Sequence, residues 1–275
     1  MPYAEAAGTR LYYERHGPKP GEAPAILFAH GAGGNHLSWW QQVPDFRDRY
    51  TCVVFDHRGY GLSADSDPPR IGTEYVEDLR ALLDHLKIER TSLVAQSMGG
   101  WTCLGFALQY PGRVEKLVMC DTHGGLRSDA IRAAFASAAR PTQPVPDFIH
   151  VAAGARMHRE QPDLHFLYTE IDALNETRTR EEIGEILRAA GSPTAEDVAS
   201  LGVPVLFIAG EEDPLIPPPV LEAAASHFRN ARVVRVPEAG HSVYFERAEK
   251  FNAIVDDFLS ASSASVAPRQ EQRST

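Results

Sequence analysis

The sequence predicts an α/β fold, a mostly parallel and doubly wound sheet carrying an inserted helical cap. Three observations lead there. Short continuous apolar runs recur along the chain, the pattern of strands covered on both faces. Between them lie segments whose apolar residues keep the i, i+3, i+4, i+7 spacing of an amphipathic helix, and regular alternation of the two implies helices on both sides of a parallel sheet. Polar and glycine-rich residues also gather directly after the apolar runs. In open α/β sheets, functional loops lie beyond the carboxyl ends of the strands.

Taken in order, residues 2–7 and 10–16 flank Gly8-Thr9 and read as a hairpin of two strands. The Gly/Pro-rich stretch 17–24 is a loop, and the run 25–29 is the first buried strand, ending in His30-Gly31-Ala32-Gly33-Gly34. A second, 52–55, ends in Asp56-His57-Arg58-Gly59-Tyr60-Gly61. A helix follows from Thr73, a plausible N-cap, to Lys87, with Tyr75, Val76, Leu79, Leu82, Leu83 and Leu86 on one face. The strand entering Ser97 comes next, then a helix through Trp101, Leu104, Phe106, Ala107, Leu108 and Tyr110, broken at Pro111-Gly112. Strand 116–120 closes with Asp121-Thr122-His123-Gly124-Gly125. From 126 to 201 the character changes to helical stretches (130–139, 164–174, 180–189), proline-bearing joints and no convincing strand. Alternation resumes with strand 205–209, helix 220–228, strand 231–236 and a final helix 246–259. The division predicted is a core of 1–125 and 202–260, an insertion of 126–201, and a polar disordered tail from 261 to 275.

At 275 residues and 43% hydrophobic content, one α/β core with an insertion fits better than two independent domains. A formal net charge of −10 argues against a nucleic-acid partner and against an anionic membrane surface. The start, Met1-Pro2-Tyr3-Ala4-Glu5, has no basic and apolar leader pattern, and no apolar run approaches membrane-spanning length. Cys52, Cys103 and Cys120 are odd in number and widely spaced within apolar segments, which predicts buried, reduced thiols rather than a disulfide or metal site. A cytoplasmic monomer or homodimer acting on a small molecule, with no cofactor, is the simplest expectation.

The stretch Leu93-Val94-Ala95-Gln96-Ser97-Met98-Gly99-Gly100 has the layout of a nucleophile elbow, strand then sharp turn then helix. A serine hydroxyl is a weak nucleophile, so it must stand clear of the backbone and near a base. Small residues two before and two after allow the turn to close; Gly99 fills one position, and Ala95 stands where glycine is usual. Alone the pattern is weak. A base and an orienting acid must also emerge at strand exits, and Gly210-Glu211-Glu212-Asp213 and Gly240-His241 do so in the order serine, acid, histidine.

With those residues in view, the sequence resembles the α/β-hydrolase fold family, of the type with a helical cap inserted after the sixth strand. Five motifs carry the likeness: His30-Gly31-Ala32-Gly33, Asp56-His57-Arg58-Gly59-Tyr60-Gly61-Leu62-Ser63, Gln96-Ser97-Met98-Gly99-Gly100, Gly210-Glu211-Glu212-Asp213 and Gly240-His241. The resemblance implies Ser97 as nucleophile, His241 as general base, Asp213 as its partner, and backbone amides of Met98 and Ala32 as an oxyanion hole. Asp121 is the main rival acid, because some relatives recruit that position. His30 is expected to shape the oxyanion loop, with His57 and Arg58 as loop braces. Of Trp39 and Trp40, one can line the pocket while the other packs; Trp39 and Trp101 are the substrate-binding candidates. Phe166, Leu167, Ile171 and Leu174 read as the core of the cap.

The activity these residues imply is hydrolysis of ester-type bonds in a small, largely apolar substrate, by a carboxylesterase or lactonase. A serine at the elbow argues against the related dehalogenases and epoxide hydrolases, whose nucleophile is a carboxylate. Enol-lactonases and C–C bond hydrolases of aromatic-ring degradation resemble this sequence in the Ser-Met-Gly-Gly elbow and are the nearest rivals. A triad-bearing ligand receptor is the alternative of another class, since fold alone does not determine function. No His/Asp/Glu cluster has metal-ligand spacing.

Overall fold

A computed structural model describes residues 2–65, 69–138 and 152–261. Eight strands form one sheet: β1 (Tyr3–Ala6), β2 (Thr9–His16), β3 (Ala25–Ala29), β4 (Thr51–Phe55), β5 (Thr91–Gln96), β6 (Val114–Cys120), β7 (Val205–Gly210) and β8 (Ala231–Val236). Their order is β1-β2-β4-β3-β5-β6-β7-β8. β1 and β2 pair antiparallel, as does β2 with β4, and every later pairing is parallel. The predicted α/β, doubly wound architecture is therefore what the chain adopts.

The runs of uninterrupted apolar character have a direct physical cause. Successive side chains of a strand point to opposite faces, and here both faces are covered. Leu27, Ala29, Val53, Leu93, Ala95, Leu117 and Phe207 pack with Leu79, Leu82, Leu83, Cys103, Leu104 and Phe106 of the helices on one side. The intervening Ile26, Phe28, Val54, Val94, Val118, Leu206 and Ile208 pack with Trp39, Phe46, Tyr244, Phe251 and Phe258 on the other. All three cysteines are free and buried. Burial raises the Cys52 thiol to about 12, so it stays protonated at neutral pH.

Several boundaries shift by a few residues from expectation, and two of the differences have a visible physical context. The helix after β4 spans Tyr75–His85, and Glu74 rather than Thr73 precedes it, without a side-chain cap. Thr73 instead belongs to a turn, its amide donating to the Arg70 carbonyl (3.1 Å). The expected final helix is split into a single turn, Val243–Glu246, and Ala248–Ser260. The break follows from the side chain of Glu246, which turns inward to accept backbone amides of the preceding loop.

Between β6 and β7 the described residues form helices Asp129–Ser137, Ala155–Glu160, Pro162–Asp172, Arg180–Ala189 and Ala195–Ala199. Bulk in this segment is divided. Met157, Tyr168 and Ile171 join the core beneath, whereas Phe166 (65% exposed), Leu167 and Leu174 face outward. The expectation that these last three form internal core thus fails, because helix Pro162–Asp172 buries only the edge carrying Tyr168 and Ile171. Phe148, Ile149 and residues 262–275 lie outside the described residues. The segment is tied to the strand-exit loops by hydrogen bonds. Asn35 Nδ2 donates to the Ile171 carbonyl (2.9 Å), Asn175 Oδ1 accepts from the Gly61 amide (2.9 Å), and Arg178 Nη2 donates to the Gly59 carbonyl (2.7 Å). Among the described residues, no helix is long and apolar enough to cross a membrane.

The loop after β4 is braced by a fully buried guanidinium. Arg58 Nε and Nη2 donate to the two Asp78 oxygens at 2.9 and 2.6 Å, and Nη2 also reaches the Ala7 carbonyl (2.9 Å). Removing Asp78 takes away both of its short contacts and leaves the buried guanidinium facing the more distant Asp65 (3.7 Å). Asp78→Ala is expected to cost about 3–5 kcal/mol of stability, read as a lower urea midpoint at unchanged slope. A change under about 1 kcal/mol, the range of exposed pairs, would contradict this account of the brace.

Candidate active site

Ser97 follows the last residue of β5 with φ of 47°, a left-handed conformation that a non-glycine residue adopts only when its surroundings enforce it. The enforcement is visible. The Ser97 amide donates to the Cys120 carbonyl on β6 (3.1 Å), and the helix Gly99–Gln109 starts two residues later. Gly99 passes so close to β3 that a Cβ would collide with the Ala29 carbonyl oxygen, which explains glycine at that position. The strand, turn and helix together push the Ser97 hydroxyl off the edge of the sheet.

His241 and Asp213 reach the same point from the exits of β8 and β7. Ser97 Oγ lies 2.9 Å from His241 Nε2, and His241 Nδ1 lies 2.8 Å from Asp213 Oδ2. A carboxylate offers only lone pairs, so the proton is assigned to Nδ1 and Nε2 is left to accept from the serine hydroxyl. Asp213 is held in turn: its Oδ1 accepts the Leu215 and Ile216 amides at 2.8 and 3.0 Å. Burial alone would depress the imidazole's pKa. The charge and hydrogen bond of Asp213, with smaller contributions from Asp121 and Glu246, raise it above its ordinary 6.5.

Asp121, the rival acid, stands apart from the imidazole's nitrogens. Its Oδ1 accepts the Gly210 amide (2.9 Å), and its Oδ2 faces the Cys120 thiol (3.1 Å) and the Val243 amide (3.3 Å). Complete burial and the neighbouring Asp213 charge push its carboxyl well above the usual range. Two acids therefore flank one histidine, and only Asp213 is bonded to it.

Ala32 and Met98 flank the same spot. Both belong to an apolar cluster with Tyr60, Ile71, Tyr75 and Ile186, and a Cβ on Gly31 would lie 3.1 Å from Ser97 Cβ. Among the described residues, neither the Ala32 nor the Met98 amide donates to a protein acceptor. Beneath this loop, His30 Nδ1 donates to the Gly31 carbonyl (2.8 Å), and its Nε2 accepts the His57 amide (2.9 Å). Burial lowers His30 to about 4, so it is a neutral brace at physiological pH.

The tryptophan assignments divide. Trp39 is fully buried, its ring 5.1 Å from Phe28 and 4.6 Å from Tyr244, and it has no surface left for a ligand. Its nomination as a pocket wall is corrected: it is core, held there because Asn35 caps the short helix His36–Trp39 and turns the indole inward. Trp40 is the exposed one of the pair. Trp101 lies on the first turn after the elbow, its indole against Gly125 and 5.1 Å from His123. A cleft of about 630 Å³ opens between residues 59–65 with Pro69 and Ile71 on one side and the segment 176–189 on the other, and Ser97 is not in its wall. Among the described residues, no group of three or more His, Cys, Asp or Glu side chains is placed to hold a metal ion.

Three neighbours escaped the sequence reading. Gln96 Nε2 donates to the His241 carbonyl (2.9 Å), while Glu246 and Ser242 hold the backbone on either side of that histidine. Gln96 lies inside a recognised motif and Ser242 and Glu246 shortly after one, but nothing in the sequence assigned them a role.

Comparison with known proteins agrees with this fold. Residues 24–248 match the family described as α/β hydrolase fold. A putative carbamate hydrolase, RutD, of Caulobacter sp. (strain K31) is 30% identical, the match covering 92% of this chain and 97% of that protein. The 3-oxoadipate enol-lactonase 2 of Acinetobacter baylyi is 26% identical over 86% of this chain and 88% of its own length. Among solved structures, an enol-lactonase from Burkholderia xenovorans LB400 superposes with a TM-score of 0.75 at 25% identity, covering 94% of this chain and all of its own.

Proposed function

The chain belongs to the α/β-hydrolase fold family, and from that premise we propose that it is a serine hydrolase cleaving ester-type bonds of small, largely apolar substrates. One observation carries the reading: a serine hydroxyl, an imidazole and a carboxylate meet in sequence at 2.9 and 2.8 Å, each at a different strand exit. In the proposed cycle Ser97 Oγ attacks the carbonyl carbon as His241 Nε2 takes its proton. The tetrahedral oxyanion settles against the Met98 and Ala32 amides, and each such donor contributes roughly 2.7–4 kcal/mol by analogy with measured oxyanion holes. His241 then hands the proton to the leaving oxygen, and the acyl group stays on Ser97. Water attacks that ester with His241 again as base, releasing the acid and restoring the hydroxyl.

An uncharged acyl or lactone substrate is part of this proposal: the buried cluster of Tyr60, Tyr75, Met98 and Ile186, which includes the residue after the nucleophile, holds no charged side chain. The helical segment 126–201 acts in this reading as a cap, since its hydrogen bonds fall on the strand-exit loops. A capped apolar site favours compact substrates and partial exclusion of water.

Acyl chain length tests this. With the leaving group held constant, kcat/KM is expected to peak at short to medium chains. A steady rise to long chains with activation at a lipid–water interface would contradict the substrate class. A panel holding lactones, carbamates and vinylogous diketones beside the esters separates ester hydrolysis from carbamate and C–C cleavage.

A further inference from the structure

His241 sits in a loop whose backbone is gripped on both sides by one buried carboxylate. Glu246 is 3% exposed. Its Oε1 accepts the Gly240 amide (3.0 Å) and the Ser242 amide (3.2 Å), while Oε2 also accepts Gly240 (3.0 Å). These are the amides of the residues immediately before and after the histidine. The His241 carbonyl is itself held by Gln96 Nε2 (2.9 Å), so little freedom remains at its Cα.

The same carboxylate is sealed by the inserted segment. Gly154, with φ of 78°, opens helix Ala155–Glu160, and a Cβ there would stand 2.8–2.9 Å from both Glu246 oxygens. Any side chain at 154 would strike the carboxylate. Ser242 completes the link: its hydroxyl donates to the Ala152 carbonyl (2.7 Å) and accepts from Tyr168 (3.0 Å). Segment, carboxylate and histidine loop therefore form one connected unit.

We propose that Glu246 is a positioning residue for the reaction. By holding the Gly240 and Ser242 amides it places the His241 imidazole between Ser97 and Asp213, and it ties that placement to the helical segment. This rests on the serine-hydrolase reading above. The physical reason is distance: the imidazole must stay within hydrogen-bond reach of two partners, and a misplacement of about 1 Å costs on the order of a hundredfold in rate.

Glu246 also sees the chemistry electrostatically. Asp213, Arg247, Tyr168 and His241 are the charged or titratable groups that interact with it. Burial raises its carboxyl to about 7, against the opposing pull of the Gly240 and Ser242 amides and of Arg247. Its charge, in turn, helps raise the His241 pKa.

The test compares Glu246→Ala and Glu246→Gln with wild type on an activated short-chain ester. Alanine removes all three amide contacts, and kcat is expected to fall about a hundredfold while KM stays within about twofold, since only the transition state needs the aligned imidazole. Glutamine keeps one acceptor oxygen and loses the charge. It is expected to recover about tenfold of that loss, one hydrogen bond's contribution, and to move the acid limb of the kcat/KM profile to lower pH. A carboxylate that merely satisfied buried amides would lower stability and leave kcat within about twofold of wild type. Should the alanine variant fail to fold, the glutamine variant decides alone: wild-type kcat with an unmoved limb overturns the proposal. Labelling of Ser97 by an organophosphonate is measured alongside. Wild type that labels and turns over, beside glutamine and alanine variants indistinguishable from it, overturns the positioning role alone. Turnover by wild type without a label on Ser97 overturns the serine-hydrolase reading and the proposal with it.

Discussion

Replacing Ser97 by alanine is expected to lower kcat for ester hydrolysis by about 10⁶-fold, the scale at which serine proteases lose activity without their nucleophile. The hydroxyl's polar contact is His241 Nε2, and it packs no core residue, so stability should be nearly unchanged. Alanine also keeps the same left-handed backbone demand at φ 47° as serine, which leaves the elbow's strain as it was. Substrate binding should survive, because the change removes one hydroxyl and no other side chain. Stopped turnover with an intact melting transition is the expected pair of results. Retained turnover would remove the serine from the chemistry. Saturable binding without multiple turnovers in the wild-type protein would instead favour a receptor of the same fold.

The second large effect is at the acid. Asp213→Asn is expected to lower kcat by about 10⁴-fold, as loss of the orienting carboxylate does in the serine proteases. An amide can still accept the Leu215 and Ile216 amides through its oxygen, so the loop geometry is kept. What changes is the group facing Nδ1: an NH₂ there opposes a ring N–H and drives the imidazole to the wrong tautomer. Asp121→Asn makes a sharp contrast. Burial and the Asp213 charge already favour the neutral form of that carboxyl, and neither ring nitrogen of His241 bonds to it. An amide is close to isosteric with a protonated acid, and the expected loss is within about tenfold, the cost of one misaligned hydrogen bond. The reverse order of effects would move the acid to the exit of β6.

These two positions also show what the chain discloses before it is folded. Ser97, Asp213 and His241 were legible because each follows an apolar run, and strand exits are where such sheets put their polar groups. The sheet itself was legible for a related reason: strands covered on both faces cannot alternate, so they leave continuous runs such as Ala25–Ala29. Trp39 was misread because a run of two indoles does not say which one turns inward. That depends on the Asn35 cap, a contact of three-dimensional origin. Glu246 was read as the start of the last helix, since helical spacing continues through it. Its role depends on a break at Arg247 that sends the carboxylate back to Gly240, and no local pattern reports that. Gln96 is a harder case still, for its partner lies 145 residues away.

The most direct test of the account is the site of covalent capture. The protein is treated with a p-nitrophenyl phosphonate at pH 8, then digested and mapped by mass spectrometry. The account predicts one phosphonyl group per chain, on Ser97, with ester turnover lost in proportion to labelling and no labelling in Asp213→Asn on the same timescale. Full turnover without an adduct, or an adduct carried by any residue other than Ser97, would contradict it.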